Sequence, residues 1–220
     1  MRIVIAEDHL LFRDLFRKIC TTELGCTLVG EADTGRAAIL TIRSTLPDLV
    51  LLDLHLPDGD GFEVAAHTLA HWPDIRVLLL SSHCDDYTLF QVERSGAHGF
   101  IDKNTQTVSA LGEAISALRR GETYFSPAFL EAKTARVRNS TYFMKILSDR
   151  ECIILSLIGH SMSDHEIAVR LCISHTTAQT HRSHIMRKLE IPSTAKLVQF
   201  AIEHGFTRVI TQRNGTPVLS

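Results

Sequence analysis

Acidic side chains stand directly after two apolar runs of this sequence. Asp53 follows residues 49–52, and Glu7 and Asp8 follow residues 3–6. Each run is typical of a strand that is buried on both faces. A structural aspartate is seldom placed at the carboxyl end of such a strand, whereas a functional one often is. Asp53 is therefore the first candidate for chemistry.

Two further apolar runs, residues 75–80 and 98–101, lead into Ser81 and into Asp102 and Lys103. In open parallel α/β sheets, ligands bind in the crevice outside the carboxyl ends of the strands. We therefore expect carboxylates, a hydroxyl and an ammonium group from distant parts of the chain to converge there. Taken singly, each of these residues is typical of a cap or a solvated loop charge. Their occurrence at successive strand ends indicates one site.

The predicted crevice contains groups that suit a divalent cation and a phosphoryl group. Its carboxylates repel one another, so some of them ionise only if a cation is present. Oxygen ligands favour a hard ion, which makes Mg²⁺ the predicted cofactor. In-line phosphoryl transfer needs positioning and charge neutralisation more than covalent chemistry from the protein. Lys103 and Mg²⁺ would supply that neutralisation.

Helical patterns separate the apolar runs and must position these groups. They begin near Thr34, Gly61 and Thr105, and the last one extends to about Arg119 with apolar residues at helical spacing. Strands and helices that alternate in this way predict a parallel sheet of five strands with helices on both faces.

These motifs closely resemble the receiver domain of two-component response regulators, over roughly residues 1–122. The matching residues are Glu7, Asp8, Asp53, Pro57, Ser81 and the segment 96–103. The resemblance implies an α/β flavodoxin-like fold in which Asp53 is the phosphoacceptor. It also implies that Mg²⁺ is held by Glu7, Asp8, Asp53 and the backbone carbonyl of His55.

The same resemblance implies roles for three more residues. Lys103 would pair with the phosphoryl oxygens, Ser81 would hydrogen-bond them once its loop closes, and Phe100 would be the aromatic switch. The phosphoryl group would come from a sensor histidine kinase or another donor, since the sequence has no kinase or nucleotide-binding signature. Beyond its own phosphotransfer and dephosphorylation at Asp53, the chain is not expected to be an enzyme.

The second half of the chain has the pattern of a helix-turn-helix domain. A junction at residues 123–144 carries turn signals and a stretch, residues 128–137, that can form a short helix. Capping boxes then pair Ser148 with Glu151 and Ser163 with Glu166, which predicts two helix starts. A third helix is predicted at about residues 175–189, at helix-turn-helix spacing from the second, and a fourth at about 194–204.

This half resembles the LuxR-type helix-turn-helix domain of the NarL/FixJ class over residues 145–206, which leaves a tail at 207–220. The matching residues are 147–151, 166–168, Leu171, Ile173, Ser174, Thr177, 180–182, Ile185, Lys188, Leu189, Leu197 and Val198. The resemblance implies a four-helix DNA-binding domain whose third helix enters the major groove of double-stranded DNA. The candidate DNA contacts are His175, Thr177, Gln179, Thr180, Arg182, Ser183 and Lys188.

The helix-turn-helix departs from the family pattern in its third helix and in the loop before its second helix. Gln179 stands where the family usually has lysine, and Asp164 where it usually has asparagine. With Ala178, His181, Ile185 and Leu189 placed inward, the outward residues are predicted to be His175, Gln179, Arg182, Ser183 and Met186. Only one of these carries a full positive charge, so the domain is expected to bind DNA weakly unless it dimerises. Gln179 either reads an adenine in a bidentate contact or is a neutral surface residue.

Charge and cysteine content separate the two halves and suggest a compartment. Residues 1–125 carry 11 Lys and Arg against 18 Asp and Glu, whereas residues 145–220 carry 9 against 6. Only the second half suits a polyanion. The 5 cysteines have no metal-ligand spacing and are expected to be reduced. Because neither a signal peptide nor an apolar span is recognised, we expect a cytoplasmic protein without membrane partners.

The leading hypothesis is a phosphorylation-controlled, DNA-binding transcription regulator that forms a homodimer when phosphorylated. The alternative is a phospho-switched protein-interaction regulator with weak or no DNA binding, which the absence of a lysine at Gln179 motivates. A phosphohydrolase with Asp53 as nucleophile is disfavoured. Such enzymes typically need an acid or threonine two residues after the nucleophile, where His55 stands.

Overall fold

The computed structural model describes residues 1–104, 108–138, 146–207, 209–211 and 217–219. It consists of two compact units. One contains Met1–Cys84 and Leu89–Thr134, and the other contains Asp85–Thr88 and Ala135–Ser220. Within the described residues, no helix is both long and apolar enough to cross a membrane.

The first unit is built on a six-stranded parallel sheet. Its strands, with a short hairpin β4–β5 outside the sheet, are β1 Arg2–Ala6, β2 Thr27–Ala32, β3 Leu49–Asp53, β4 His55–Leu56, β5 Gly59–Asp60, β6 Arg76–Ser81, β7 Gly99–Asp102 and β8 Tyr124–Phe125. The strand order is β2-β1-β3-β6-β7-β8. All neighbouring strands of this sheet run parallel. The order reverses beside β1, so a crevice forms outside the carboxyl ends of β1 and β3.

Helices cover both faces of the sheet. They are α1 Leu10–Lys18, which continues as a π-helical turn at Ile19–Glu23, α2 Gly35–Thr45, α3 Gly61–His71, α4 Asp86–Arg94, α5 Val108–Arg119 and α6 Pro127–Arg138. Successive residues of a strand point to opposite faces. Val50 and Leu52 accordingly belong to one core cluster, and Leu49 and Leu51 to the other. The predicted fold class of this unit is confirmed.

The sheet has six strands where the sequence predicts five. The additional strand, β8, pairs with β7 through Gly99 opposite Tyr124 and Phe100 opposite Phe125. A Cβ atom at Gly99 would collide with the carbonyl oxygen of Tyr124, so glycine permits this close approach. Two residues are too few to show an alternating pattern, which is why the strand is absent from the prediction. The compact unit thus continues beyond residue 122.

The second unit is helical, as predicted. Its helices are α7 Asp149–Gly159, α8 Asp164–Leu171, α9 His175–Lys188 and α10 Thr194–Glu203. Both predicted capping boxes are present at the starts of α7 and α8. Two strands, β9 Val209–Thr211 and β10 Pro217–Leu219, pair antiparallel in the predicted tail. The core of the four helices includes Ile154, Ile158, Ile167, Ile185 and Leu197, all fully buried.

Candidate functional site

The carboxyl ends of β1 and β3 bring Asp53 and Glu7 to one edge of the sheet. Ala6 lies opposite Leu52 in the parallel register. The next residues along the two segments, Glu7 and Asp53, therefore lie at the same level of the sheet. Gly61, the first residue of α3, donates its N–H to the carbonyl of Leu54 over 3.0 Å. A Cβ atom at Gly61 would collide with the carbonyl oxygen of Asp53. Glycine therefore allows α3 to begin against the end of β3.

A buried lysine joins the two carboxylates. The Nζ atom of Lys103 lies 2.7 Å from Glu7 Oε2 and 2.8 Å from Asp53 Oδ2. The Lys103 side chain is only 5% exposed, and its Nζ lies 5.1 Å from the centre of the Phe12 ring. Buried charges are stable in a protein only when they are paired. The ammonium of Lys103 and the two acids therefore depend on one another.

Three carboxylates at this edge fit a hard divalent cation. Glu7, Asp8 and Asp53 each offer an oxygen, and these atoms lie within 4.8 Å of one another. Burial, reinforced by the charge of Asp53, raises the pKa of Glu7 to about 7, although Lys103 acts in the opposite direction. Three carboxylates therefore compete for one ammonium, and the ionisation of Glu7 is penalised. A cation with oxygen ligands would relieve this competition.

Three backbone amides and the side chains of His55 and Ser81 complete the edge. The N–H of His55 donates to Asp53 Oδ1 over 3.1 Å, and the His55 Nδ1 atom lies 3.9 Å from the same oxygen. Ser81, which ends β6, is fully buried. Its hydroxyl oxygen accepts the N–H of His83 over 3.1 Å, and its carbonyl accepts the N–H of Lys103 over 2.7 Å. The Ser81 loop and the Lys103 loop are therefore connected directly.

Helix α9 presents a mostly neutral polar surface. Its exposed residues include His175, Thr177, Gln179, Thr180, Ser183 and Lys188. Thr180 and Ser183 donate their hydroxyl protons to the backbone carbonyls of Thr176 and Gln179, over 2.8 Å and 3.0 Å. Their oxygens keep lone pairs for a further contact. Ser174 caps the start of the helix, and its side chain accepts the N–H of Thr177 over 3.0 Å.

Two families of known proteins match the two halves of the chain. The family described as "Response regulator receiver domain" matches residues 3–115. The family described as "Bacterial regulatory proteins, luxR family" matches residues 145–201. The chain belongs to the response regulators. At this level the predicted class is confirmed: a receiver and a LuxR-type domain in one chain, with transcription under the control of phosphorylation. Members of this class act as regulators rather than as enzymes.

Similar full-length proteins and structures share this arrangement. The oxygen regulatory protein NreC of Staphylococcus carnosus is 34% identical over 212 residues, which cover 92% of this chain and 97% of NreC. NreC of Staphylococcus aureus is also 34% identical, with the same coverage. The structure of RcsB from Salmonella enterica serovar Typhimurium bound to promoter rprA covers 91% of this chain and 97% of RcsB, with a TM-score of 0.69 and 23% identity. A LuxR-family response regulator from Aurantimonas covers 62% of this chain and 97% of its own, with a TM-score of 0.58 and 28% identity.

In this response regulator, the predicted receiver residues converge as the sequence analysis expects. Glu7, Asp8, Asp53 and Lys103 form one cluster, and Ser81 reaches it through the Lys103 backbone. The roles of these residues, and the role of the His55 carbonyl as an ion ligand, stay predictions. Two neighbours were missed: Phe12 lies beside the Lys103 ammonium, and Arg13 Nη1 donates to the Glu7 carbonyl over 2.7 Å. Both residues lie in the first turns of the helix that follows Glu7 and Asp8, and this closeness along the sequence could have identified them.

The predicted aromatic switch, Phe100, faces the interior. Its side chain is fully buried in β7, and its ring centre lies 5.1 Å from that of Phe129 in α6. Phe129 lies 5.1 Å from Phe125 of β8. The Phe129 ring thus links Phe100 to both elements that follow α5, strand β8 and helix α6. Its role as a switch stays a prediction.

The predicted outward direction of Arg182 is wrong. Its Nε donates to Asp164 Oδ1 over 2.6 Å, and its side chain is only 12% exposed. At 3.6 residues per turn, position 182 lies only about 40° around the helix from position 178. Ala178 and Ile185 are both fully buried, so Arg182 flanks the inner face of α9 and reaches α8.

Lys188 is exposed but already engaged by an acid of α7. Its Nζ lies 2.7 Å from Glu151 Oε2, and its side chain is 36% exposed. Burial opposes the ionisation of Glu151, but hydrogen bonds from Lys188 and Ser148 outweigh it and lower the pKa of Glu151. The outward face of α9 instead has Arg187 and Thr176, which are exposed and absent from the predicted contacts. Position 187 lies about 180° from the buried position 178, so helical spacing could have identified it.

Proposed function

We propose that this response regulator accepts one phosphoryl group on Asp53 with the help of Mg²⁺ and thereby controls its binding to double-stranded DNA. The observation that carries the proposal is the position of the Lys103 ammonium, 2.7 Å from Glu7 and 2.8 Å from Asp53. Asp8 adds a third carboxylate within 4.8 Å. Few arrangements other than a site for a cation and an anion require a buried ammonium between two buried carboxylates, with an exposed third one beside them.

In the proposed reaction, an oxygen of Asp53 attacks the phosphorus of the donor as the bond from phosphorus to the leaving group breaks. Glu7, Asp8, Asp53 and the backbone carbonyl of His55 would hold Mg²⁺, which when bound neutralises charge on the transferring group. Lys103 exchanges part of its contact with Asp53 for the new phosphoryl oxygens. The Ser81 hydroxyl then donates to one of these oxygens, which draws its loop toward Asp53. Attack of water on the same phosphorus atom releases inorganic phosphate and returns Asp53 to its starting form.

The phosphorylated receiver is proposed to act on the LuxR-type domain. We assign residues 1–122, together with strand β8, to the receiver. The rest of residues 123–144 would be the junction, 145–206 the DNA-binding domain and 207–220 the tail. Helix α9 would enter the major groove, and dimerisation on phosphorylation would place two such helices on one duplex. A sensor histidine kinase or a small phosphoryl donor would be the partner that supplies phosphate. Binding to chromosomal DNA, as proposed, would require a cytoplasmic protein.

One observation favours the second candidate, a phospho-switched regulator of protein interactions. Arg182 and Lys188, two of the predicted DNA contacts, are held by Asp164 and Glu151. Phosphate neutralisation supplies most non-specific DNA affinity, so these pairs reduce what the domain offers to DNA. The two functions share the phosphorylation step and differ only in the target.

The phosphorylation step is tested by incubating the protein with Mg²⁺ and a small phosphoryl donor. Intact-mass spectrometry should show one added phosphoryl group, and Asp53→Asn should abolish it. Asp58→Asn is the matched control, because Asp58 lies in the loop after the same strand but accepts backbone N–H groups at the start of α2. This variant should still be phosphorylated. Phosphate on another residue in the native protein would refute the assignment of Asp53.

The DNA step is tested by capture of genomic DNA fragments with the full-length protein, with and without the phosphoryl donor. Shared, enriched sequence motifs that require the donor would support transcription control through DNA. Phosphorylation without enrichment of any motif would instead support the protein-interaction candidate.

A further inference from the structure

Asp164 and Arg182 form an ion pair between α8 and α9. Arg182 Nε donates to Asp164 Oδ1 over 2.6 Å, and Arg182 Nη2 donates to the carbonyl oxygen of Met162 over 3.0 Å. The side chains of Arg182 and Asp164 are 12% and 19% exposed. Partly buried pairs are screened by salt much less than exposed ones. The guanidinium of Arg182 is therefore directed toward the start of α8.

The outward face of α9 offers few cations, which makes the guanidinium of Arg182 important although it flanks the inner face. The exposed residues there include the neutral side chains of Thr176, Gln179, Thr180 and Ser183. Arg187 is an exposed cation, and the ammonium of Lys188 is paired with Glu151. Because each phosphate contact contributes to sequence-independent affinity, one guanidinium more or less changes the DNA affinity of such a surface measurably.

We propose that Asp164 is a positioning residue that holds Arg182 away from DNA phosphates. Arg182 is then not a DNA contact. The carboxylate oxygen of Asp164 occupies the place on Arg182 Nε that a phosphate oxygen would take. The domain thereby gives up one phosphate contact, whereas a base-reading side chain such as Gln179 is unaffected. The ratio of specific to non-specific DNA binding increases as a result. This inference rests on the proposed DNA binding.

The substitution Asp164→Asn separates the effect of the negative charge of Asp164 from the effect of its hydrogen bond to Arg182. An asparagine at this position keeps an oxygen acceptor for Arg182 Nε but removes the negative charge. Without that counter-charge, the guanidinium is held only by a weaker, neutral hydrogen bond and can turn toward DNA. In Asp164→Asn, a nearby DNA phosphate becomes the strongest available partner of Arg182.

The experiment measures the affinity of the full-length protein, treated with Mg²⁺ and a small phosphoryl donor, for a random-sequence DNA duplex over a series of KCl concentrations. Asp164→Asn should bind about eightfold more tightly at about 0.1 M salt, with a log–log salt slope that is steeper by about 0.9, the value for one additional phosphate contact. Arg182→Gln alone should leave the native slope unchanged. The double variant Asp164→Asn/Arg182→Gln should return to the native slope.

Glu203→Gln is the control for net charge, because it removes one negative charge from the exposed last turn of α10. It should change the salt slope by much less than Asp164→Asn does. Thermal unfolding of each variant verifies that the domain is folded. An Asp164→Asn slope equal to the native slope would overturn the inference, as would a loss of about 0.9 in the slope of Arg182→Gln alone. If no variant binds DNA at all, the proposed DNA-binding function itself fails, and the inference fails with it.

Discussion

The receiver and the helical unit each contain a lysine 2.7 Å from a glutamate carboxylate, Lys103 with Glu7 and Lys188 with Glu151. The surroundings differ. Lys103 is 5% exposed and faces a second acid, Asp53, at 2.8 Å, whereas Lys188 is 36% exposed. Glu151 also accepts the N–H of Ser148 over 2.7 Å and its hydroxyl over 2.9 Å. The pair in the receiver leaves excess negative charge for a ligand, and the pair in the helical unit leaves none.

This difference shows that the distance between the two charged groups of an ion pair does not reveal the role of the pair. What distinguishes the two pairs is the balance of charge around them and the acceptor capacity that remains. Three carboxylates meet one ammonium in the receiver, so acidic groups outnumber basic ones there, as the proposed cation site would require. In the helical unit, a capping box and a lysine satisfy a single carboxylate.

Lys103→Met is the strongest test of the comparison. Removal of the ammonium takes away the stabilisation of the transferring phosphoryl group, so the initial rate of phosphoryl incorporation at Asp53 should fall on the order of 100-fold. The measurement is mass-resolved incorporation from a small donor at fixed Mg²⁺. Lys18→Met, at an exposed position of α1, is the control and should retain the native rate. A native rate in Lys103→Met would show that this pair is as structural as that of Lys188.

Gln179→Ala should have a smaller effect on the other unit. If Gln179 makes a bidentate contact with adenine, its removal relaxes preference at one base position by about 1–3 kcal/mol. Arg187→Ala should instead weaken binding to all sequences and reduce the salt slope by about 1, because an exposed arginine contacts phosphate. Affinities for a panel of duplexes with single base changes distinguish the two. Uniform losses in both variants would mean that Gln179 reads no base.

The sequence predicts the parts of both units that depend on local patterns. Apolar runs predict the strands that end at Asp53 and Ser81, and serines three residues before glutamates predict the starts of α7 and α8. The cluster of Glu7, Asp53 and Lys103 follows as well, because the carboxyl ends of parallel strands meet at one edge. These features need no knowledge of side-chain conformation.

Contacts between residues that are distant along the chain could not be predicted in the same way. Arg182 reaches Asp164 across the turn between α8 and α9, and Lys188 reaches Glu151 across two helices. Both depend on side-chain direction and on how helices pack. The direction of Arg182 could have been corrected by helical spacing, but the identity of its partner could not. Strand β8 contains too few residues for a pattern.

A partly buried histidine, His98, extends the comparison to a titratable side chain that is satisfied by the backbone instead of by a counter-charge. Its Nδ1 accepts the N–H of Val77 over 3.1 Å, which requires a neutral ring with Nδ1 unprotonated. Burial, assisted by the charge of Arg76, lowers the pKa of His98 in the folded protein. The unfolded chain, with a histidine pKa of about 6.5, therefore binds the proton more readily. The contribution of His98 to stability is complete above about pH 6.5 and is lost as the pH falls below that value.

His98→Asn keeps an acceptor near the position of Nδ1 but does not titrate. Denaturant unfolding of the receiver at pH 7.5 and pH 5.5, with pH values chosen on either side of about 6.5, should show a smaller loss of unfolding free energy in the variant than in the native protein. Carboxylates contribute to acid sensitivity in both proteins, so the difference between the two losses isolates His98. Equal losses would mean that the folded protein accommodates the protonated ring, and that the hydrogen bond to Val77 does not hold His98 neutral. A smaller loss in the variant would show that the hydrogen bond from Val77 holds His98 neutral in the folded protein, whereas Lys103 is held by two acids.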